Sequence, residues 1–302
     1  MSVFLPENKI QRQKKEMKVT GMKFTKMQGL GNDYLYFFEE VPENVKELAI
    51  RLSDRHFGPG SDGLIYICSS DVADYKMRIF NADGSEAMMC GNGIRCVGKS
   101  VYDKGYTDKT ELKIESMSGI KTLYLTVEKD VEGETDGGKG DASRGRVKSV
   151  TVDMENATYE PEKTINVRVG ENTEIVRLLP ISMGNPHAVI VTDDAENAPL
   201  TTLGAAIEKH EAFPGGVNVE FVQVLSEKEL RMRVWERGSG ITMACGTGTC
   251  ATVMAAIVKG YCKYNTPVTV HLDGGDLVIE IKEDNRVFMT GPAEFVFEGE
   301  IS

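Results

Sequence analysis

The chain lacks several features that would assign it to a class at once. No apolar run is long enough to span a bilayer, and the first twenty residues carry basic side chains without the apolar core of a signal peptide. Among the six cysteines there is no CxxC pair, and no histidine cluster accompanies them, which argues against the common zinc sites. We therefore expect a cytosolic protein with mostly reduced cysteines, without a membrane partner and without a metal site.

Positive charge is also scarce. The chain has 35 lysines and arginines against 46 aspartates and glutamates, a net charge of -11, and a pI near 5.0. Such a chain repels phosphate backbones, so nucleic acid is not an expected partner. What is present is ordinary globular composition, with 41% hydrophobic residues, and a length of 302 residues that exceeds one hydrophobic core. Two domains are therefore expected.

Short strand-like runs alternate with helical runs, and this alternation predicts an α+β fold. Helices are predicted at residues 45–55, 91–104, 200–210 and 246–259, with Gly105 and Gly260 ending the second and the last. The regular strand pattern begins at Met22, so residues 1–21 are interpreted as an N-terminal extension. Residues 131–145 are rich in glycine and charge and predict a flexible loop near a domain boundary.

The most unusual element occurs twice. CGNGIRC begins at Cys90 and CGTGTCA begins at Cys245, about half the chain apart, and each follows a strand pattern and opens a helix pattern. This repetition predicts two pseudo-equivalent domains, each with a cysteine at the start of a helix.

A helix start is suited to an anion, because its first backbone amides point outward and carry partial positive charge. The amides that this pattern offers to a carboxylate belong to Gly91, Asn92, Gly246 and Thr247. The same environment draws a cysteine toward the thiolate. We expect Cys90 and Cys245 to be more exposed than the cysteines in apolar surroundings, which are interpreted as structural: Cys68, Cys96, Cys250 and Cys262.

Two such helix starts facing each other would hold an α-amino acid with one sulfur on each side of its α-carbon. One cysteine would remove the α-proton as thiolate while the other, as thiol, delivers a proton to the opposite face. Oriented amides would meet the charge that develops on the carboxylate, so this chemistry needs no cofactor. The pattern therefore predicts a racemase or epimerase.

Five strings carry a family resemblance that runs from Met22 to the C-terminus: KMQGLGNDY, FNADGSEAMMCGNGIRC, MGNPHAV, GVNVEFV and WERGSGITMACGTGTCA. In order and spacing they resemble the signature blocks of the diaminopimelate epimerases. The resemblance implies two pseudo-symmetric domains, each a mixed sheet curled around a central helix, with the active site in the interdomain cleft. It places residues 22–147 with 291–302 in the first domain and 148–290 in the second, and it implies a homodimer.

The implied activity is the interconversion of LL- and meso-diaminopimelate by a thiolate and a thiol, without pyridoxal phosphate, in lysine and peptidoglycan precursor biosynthesis. Cys90 and Cys245 match the catalytic pair, and the implied substrate contacts are Asn32, Asn81, Gly91, Asn92, Asn185, Asn218, Glu236, Arg237, Gly246 and Thr247. Arg237 suits a distal carboxylate because its planar fork binds in a bidentate way. His187 and Glu236 are implied to set which thiol is ionised.

One position departs from the resemblance. Gly63 stands where some family members have a glutamine that contacts substrate, so that contact is either missing or supplied by backbone.

Three alternatives stay open at this point. Residues 93–100 satisfy the GxxxxGK[ST] phosphate-loop pattern, but helical spacing places Lys99 and Ser100 within a helix, where both are expected on its outer face. This placement argues against nucleotide binding. A cysteine hydrolase would use Cys90 or Cys245 with His187, and would leave one cysteine turn without a role. A non-catalytic binding module would use neither thiol.

Within the racemases, substrates of the histidine or proline type are a further alternative. Asn81, Asn218 and Arg237 favour a long substrate with a distal amino-acid head, which is diaminopimelate.

Overall fold

The computed structural model describes residues 21–129 and 145–301. The predicted N-terminal extension and the predicted loop at 131–145 therefore lie almost entirely outside the described residues. The chain divides into two compact units, the first ending at Val150 and resuming at Pro292, the second formed by Thr151–Gly291. Over the described ranges, no helix is both long and apolar enough to cross a membrane.

Strands make up most of both units, and in chain order they are β1 (Met22–Gly29), β2 (Asn32–Phe37), β3 (Gly63–Cys68), β4 (Tyr75–Asn81), β5 (Glu86–Ala87), β6 (Glu111–Ser116), β7 (Gly119–Glu128), β8 (Arg146–Asn156), β9 (Thr158–Tyr159), β10 (Lys163–Val169), β11 (Asn172–Ser182), β12 (Pro186–Val191), β13 (Asn218–Ser226), β14 (Glu229–Glu236), β15 (Gly240–Ile241), β16 (Val268–Leu272), β17 (Gly275–Ile281), β18 (Arg286–Gly291) and β19 (Glu294–Ile301). The helices are α1 (Val45–Ser53), α2 (Gly91–Asp103), α3 (Ala205–Glu208), which follows a π-helical turn at Leu200–Gly204, and α4 (Gly246–Val258). This content confirms the predicted α+β class.

The first unit has a mixed sheet with helices on two faces. β1 is antiparallel to β2 and β19, whereas β2 is parallel to β3 and β4 is parallel to β6. Because side chains alternate along a strand, neighbouring residues of β2 face different helices. The Tyr36 hydroxyl donates to the Gly93 carbonyl of α2 at 3.3 Å, while Phe37 packs in the cluster that contains Leu48 and Leu52 of α1.

The second unit repeats this plan around α4, which is buried along most of its length. β12 is parallel to β13 and β14 is parallel to β16, while β13 and β14 are antiparallel. Alternation again separates two faces of β13: Val219 and Phe221 join an apolar cluster with Leu200, whereas Glu220 lies beside the first turn of α4 at Gly248. A buried strand thus presents a polar face to the helix start.

The predicted ends of the two long helices are confirmed. α2 is followed by Gly105 at φ +73° and α4 by Gly260 at φ +79°, the left-handed conformation that glycine adopts without steric cost after a helix.

The expected position of Lys99 and Ser100 on the outer face of α2 is wrong. Ser100 is fully buried, and its hydroxyl donates to the Val97 carbonyl at 3.0 Å. Lys99 does lie inside the helix, but its side chain is buried, its Nζ donates to the Val147 carbonyl at 2.6 Å, and it pairs with Asp103 at 3.0 Å. β8 covers this face of the helix, and the lysine stem packs beneath it while the ammonium is satisfied by oxygens. The Lys99 ammonium group is therefore bound by oxygens of the protein, so it is not presented to a nucleotide phosphate. This disfavours the phosphate-loop alternative.

The last described part of the chain, 286–301, forms two strands. β18 ends at Gly291 and β19 begins at Glu294, because Pro292 has no N–H to contribute to a ladder. The division between the two units falls at the same point.

Candidate active site

The two cysteine strings fold into the same local structure. Cys90 and Cys245 each stand in extended conformation immediately before a thirteen-residue helix and serve as its N-cap. The sulfur of Cys90 accepts from the Gly93 amide at 3.3 Å, and the sulfur of Cys245 accepts from the Gly248 amide at 3.4 Å. An amide that donates to sulfur favours the thiolate over the thiol.

Predicted contacts gather around Cys90 in the first unit. The Cys90 sulfur lies 3.2 Å from Asn32 Oδ1 and donates to it, and Asn92 Nδ2 lies 3.5 Å from the same oxygen. Asn32 is oriented by Asp62, whose Oδ2 accepts from Asn32 Nδ2 at 2.7 Å, and Asp62 is in turn bound by Arg55 at 2.9 Å. Asp62 and Arg55 were not identified from the sequence, although Asp62 immediately precedes Gly63.

A fully buried arginine fixes the turn after Cys90. Arg95 donates to Asn92 Oδ1 at 3.0 Å, to the Gly91 carbonyl at 3.1 Å and to the Pro292 carbonyl at 3.1 Å. An arginine between apolar residues on a buried helix face was the sequence signal for such a role, and it was missed. Its planar fork holds both residues that were predicted to cradle a carboxylate.

Asn81 ends β4 opposite Gly63, and its side chain donates to Ser85 at 3.0 Å. A Cβ on Gly63 would lie 2.2 Å from the Phe80 carbonyl oxygen and 3.0 Å from the Tyr34 ring, so no longer side chain fits there.

Tyr34 occupies this part of the site. Burial, followed by the Cys90 charge, raises the pKa of its phenol well above the usual value. Tyr34 is therefore a polar neighbour of Cys90 that sequence reasoning missed.

Cys245 corrects the expectation that a helix start draws its cysteine toward the thiolate. Only 6% of this residue is exposed, whereas Cys90 is partly exposed. Burial raises the pKa of the Cys245 thiol well above its ordinary value, and the carboxylates of Glu236 and Glu220 add to the effect, against the Gly248 amide and Thr247. The helix start alone therefore does not make Cys245 a thiolate, because two strands place acidic side chains beside it.

A chain of hydrogen bonds leads from a buried carboxylate to Cys245. Glu220 Oε1 lies 2.6 Å from His187 Nδ1, and His187 Nε2 lies 3.2 Å from Asn185 Oδ1. Asn185 Nδ2 donates to Thr247 Oγ1 at 3.2 Å, and that oxygen lies 3.7 Å from the Cys245 sulfur. The predicted residues His187, Asn185 and Thr247 are therefore brought together with Cys245.

His187 cannot serve a hydrolytic cysteine in this arrangement. Both of its ring nitrogens are engaged, one by Glu220 and one by Asn185, so neither is presented to a sulfur as a base. This contact pattern disfavours the hydrolase alternative.

Glu236 is the last residue of β14, and Arg237 follows it. Burial raises the pKa of Glu236, which accepts from the Thr242 hydroxyl and hydrogen-bonds with Cys245. The Arg237 guanidinium is exposed and donates to the Gly215 carbonyl at 3.1 Å.

Asn218 and Glu208 hold the backbone around this pair. Asn218 accepts from the Arg237 amide at 2.9 Å and donates to the Pro186 carbonyl at 3.1 Å, so both ends of its amide bind protein. Glu208 accepts from the Trp235 indole at 2.7 Å and from the Gly238 amide at 2.8 Å, one residue on each side of the pair. Glu208 was not identified from the sequence.

The four cysteines interpreted as structural are buried, as expected. Burial raises the pKa of Cys68, Cys96 and Cys262 to about 11 in each case. These cysteines stay interpreted as structural, and Cys90 and Cys245, whose sulfurs accept from helix amides, remain the chemical candidates.

Comparison with known proteins decides the family. The family model of diaminopimelate epimerase matches residues 24–160 and 180–296. The chain belongs to the diaminopimelate epimerase family. Among its relatives, the diaminopimelate epimerase of Agathobacter rectalis is 52% identical, with 93% of this chain and 99% of the relative aligned. That of Acetivibrio thermocellus is 48% identical, covering 93% and 98%. The chain is an isomerase of this family.

A solved structure shows the same fold at low sequence identity. A probable proline racemase from Agrobacterium radiobacter aligns over 93% of both chains with a TM-score of 0.67 and 15% identity. This likeness shows that the two proteins share a fold.

Proposed function

We propose that the chain interconverts LL- and meso-2,6-diaminopimelate, with Cys90 and Cys245 as its two acid–base groups. The observation that carries the proposal is the pair of matched helix starts, one in each unit, in which a cysteine sulfur accepts from the third helical amide. Family membership and relatives at about 50% identity that are named diaminopimelate epimerase support the choice of substrate.

The proposed reaction conserves protons. A thiolate removes the α-proton from one face, and the electron pair left behind is delocalised onto the α-carboxylate. The outward amides of the two helix starts, at Gly91, Asn92, Gly246 and Thr247, stabilise that charge. The thiol on the other face then gives its proton to the carbon, so thiol and thiolate exchange between the cysteines while the configuration inverts. Nothing is oxidised, and only protons are transferred, so the scheme needs no cofactor.

The environment of Cys245 suggests its role at the start of a turnover. Because burial and two carboxylates raise its pKa, Cys245 begins as the thiol and acts as the proton donor. After it has donated, its sulfur is an anion, and the Gly248 amide and the Thr247 hydroxyl are the groups that lie close enough to stabilise it.

The remaining contacts are assigned by chemistry. The exposed Arg237 guanidinium suits the distal carboxylate of a long substrate, and Asn32, Asn81 and Asn185 suit ammonium and carboxylate groups. Asn218 and Glu236 complete the proposed set, the first by holding the Arg237 backbone and the second beside Cys245.

Further properties belong to the same proposal. We place the enzyme in the cytosol, in lysine and peptidoglycan precursor biosynthesis, as a homodimer of two-domain chains in which residues 22–147 with 291–302 and residues 148–290 form the domains. Its substrate is a small amino acid, with no nucleic acid or membrane partner.

The deciding experiment is incubation with LL-diaminopimelate in deuterium oxide, with proline and histidine as controls. Deuterium should enter the α-carbon of diaminopimelate alone, and exchange confined to proline or histidine would overturn the substrate. Cys90→Ala and Cys245→Ala should each abolish epimerisation, whereas Cys250→Ala, a matched change on the same helix as Cys245, should retain it. Equal activity of all three variants would overturn the two-thiol mechanism.

A further inference from the structure

Glu220 is a buried carboxylate that the proposed reaction does not use directly. It lies on β13 two residues after Asn218, its side chain is fully buried, and its Oε1 is 2.6 Å from His187 Nδ1. Its Oε2 is buried and has no hydrogen-bond partner among the described residues. A buried carboxylate with a half-satisfied head is costly to keep, so its location beside the reactive thiol calls for a role.

The hydrogen-bond chain fixes where the protons of His187 lie. Asn185 Nδ2 donates to Thr247, so the amide oxygen of Asn185 faces His187 Nε2. An amide oxygen only accepts, and Nε2 must therefore carry a hydrogen. The short contact between Nδ1 and the Glu220 carboxylate requires a second hydrogen between them. The pair is then either imidazolium with carboxylate or imidazole with carboxylic acid, and its net charge is zero in both cases.

The far end of the chain has a direction as well. Thr247 Oγ1 accepts from Asn185, which leaves its own hydrogen to be donated. The Cys245 sulfur lies 3.7 Å from that oxygen. From His187 onward, every donor therefore points toward Cys245.

We propose that Glu220 is a positioning residue that holds His187 protonated at Nε2, and thereby keeps the Thr247 hydroxyl directed at the Cys245 sulfur when that sulfur becomes an anion. The importance of that anion rests on the proposed function. Without the carboxylate, a neutral His187 can carry its hydrogen on Nδ1 instead. Its Nε2 lone pair would then face the Asn185 oxygen, the amide would turn over, and Thr247 would donate to Asn185 rather than to sulfur.

A direct electrostatic role for Glu220 predicts the opposite sign. The titratable groups around Cys245 are Glu236 from β14, Glu220 from β13 and His187 from β12. A carboxylate acting only through its charge disfavours the thiolate, so its removal would make Cys245 more reactive. A carboxylate acting through His187 favours the thiolate, so its removal would make Cys245 less reactive.

The test measures alkylation of Cys245 by iodoacetamide from neutral to alkaline pH, with the modified peptide quantified by mass spectrometry. At neutral pH, Glu220→Gln should alkylate about tenfold more slowly than the unaltered chain, as expected for loss of a hydrogen bond to an anion. Thr247→Val should slow alkylation by the same factor. The double variant Glu220→Gln/Thr247→Val should be no slower than either single variant, because both substitutions interrupt the same series of hydrogen bonds. Glu236→Gln is the contrasting control. It removes a charge near Cys245 that does not belong to the hydrogen-bond series from Glu220 to Thr247, and it should accelerate alkylation.

Faster alkylation of Glu220→Gln would overturn the proposal in favour of a direct charge effect. Unchanged alkylation with a lower unfolding temperature would overturn it in favour of a purely structural role. If Glu220→Gln does not fold, nitrogen-15 NMR of the histidines in the unaltered protein is decisive. A His187 without a hydrogen on Nε2 would contradict the proposed direction of the hydrogen bonds. Alkylation and NMR need no turnover, so their outcome is separate from the failure of the epimerase proposal itself.

Discussion

Gly93 and Gly248 occupy the same position in their helices, but the space beside them differs. A Cβ at Gly93 would lie 2.6 Å from the terminal Cδ1 of Ile65, whereas a Cβ at Gly248 would lie 2.6 Å from Glu220 Oε1 and 3.2 Å from the Cys245 sulfur. The two alanine substitutions therefore impose the same steric overlap on different neighbours. We expect Gly248→Ala to be much more damaging than Gly93→Ala.

The neighbours set the magnitudes. The Ile65 methyl can rotate away, so Gly93→Ala should cost about 1–2 kcal/mol of overpacking, part of which is offset by the roughly 1 kcal/mol by which alanine exceeds glycine in helix propensity. Glu220 cannot move without breaking its 2.6 Å contact with His187 inside the protein. Breaking a buried pair costs about 3–5 kcal/mol, so Gly248→Ala should lose that much free energy of unfolding.

Urea unfolding of both variants measures the difference, and site-resolved alkylation measures its chemical consequence. Gly248→Ala should also slow the alkylation of Cys245, while Gly93→Ala should leave Cys245 unchanged. Equal losses of unfolding free energy in the two variants would show that the buried Glu220 carboxylate does not make Gly248→Ala the more damaging substitution.

Three further predictions concern Glu208, Gly63 and Tyr34. Glu208→Gln should raise the KM for diaminopimelate about tenfold with a smaller change in kcat, because it weakens both hydrogen bonds beside the Arg237 loop. Hydrogen bonds hold the pKa of Glu208 below its ordinary value, so its ionised form stabilises the folded protein above that ordinary value. This contribution is lost as pH falls through the lower pKa of the folded state. Acid should therefore reduce the free energy of unfolding less in Glu208→Gln than in the unaltered protein. Gly63→Ala should lose about 3 kcal/mol in urea unfolding, because the Phe80 carbonyl cannot give way, and near-neutral behaviour would contradict this. Tyr34→Phe should lower deuterium exchange about tenfold without loss of folding, and unchanged exchange would exclude a role for the phenol.

Sequence periodicity was sufficient for the elements that carry the site. The cysteine–glycine strings predicted both helix starts, and Gly105 and Gly260 predicted both helix ends, because capping is decided by residues within one turn. Family resemblance implied that Asn32 and Cys90 belong to one site, but their direct contact was not predicted, since the two are far apart in sequence and only the fold joins them.

Burial was the property that local reasoning could not supply. A glycine turn predicts an exposed cysteine, yet Cys245 is covered because β13 and β14 bring Glu220 and Glu236 against it. Helical spacing likewise predicted an exposed Lys99, yet β8 covers its side chain. Glu220 did leave a signal: strand alternation places it on the same face as Asn218, and a glutamate in an apolar strand on the site face is a candidate for function.

The likeness of the two turns explains why their neighbours matter. The amide contacts to sulfur, 3.3 Å at Cys90 and 3.4 Å at Cys245, are nearly the same, so the helix starts favour a thiolate about equally at both positions. Any preference for ionising one thiol first must therefore come from side chains around the turns. Cys90 faces the oxygen of Asn32, whereas Cys245 faces two carboxylates and the Thr247 hydroxyl. The duplicated turn thus gives both sulfurs a similar amide contact, whereas the side chains around the two turns are unlike.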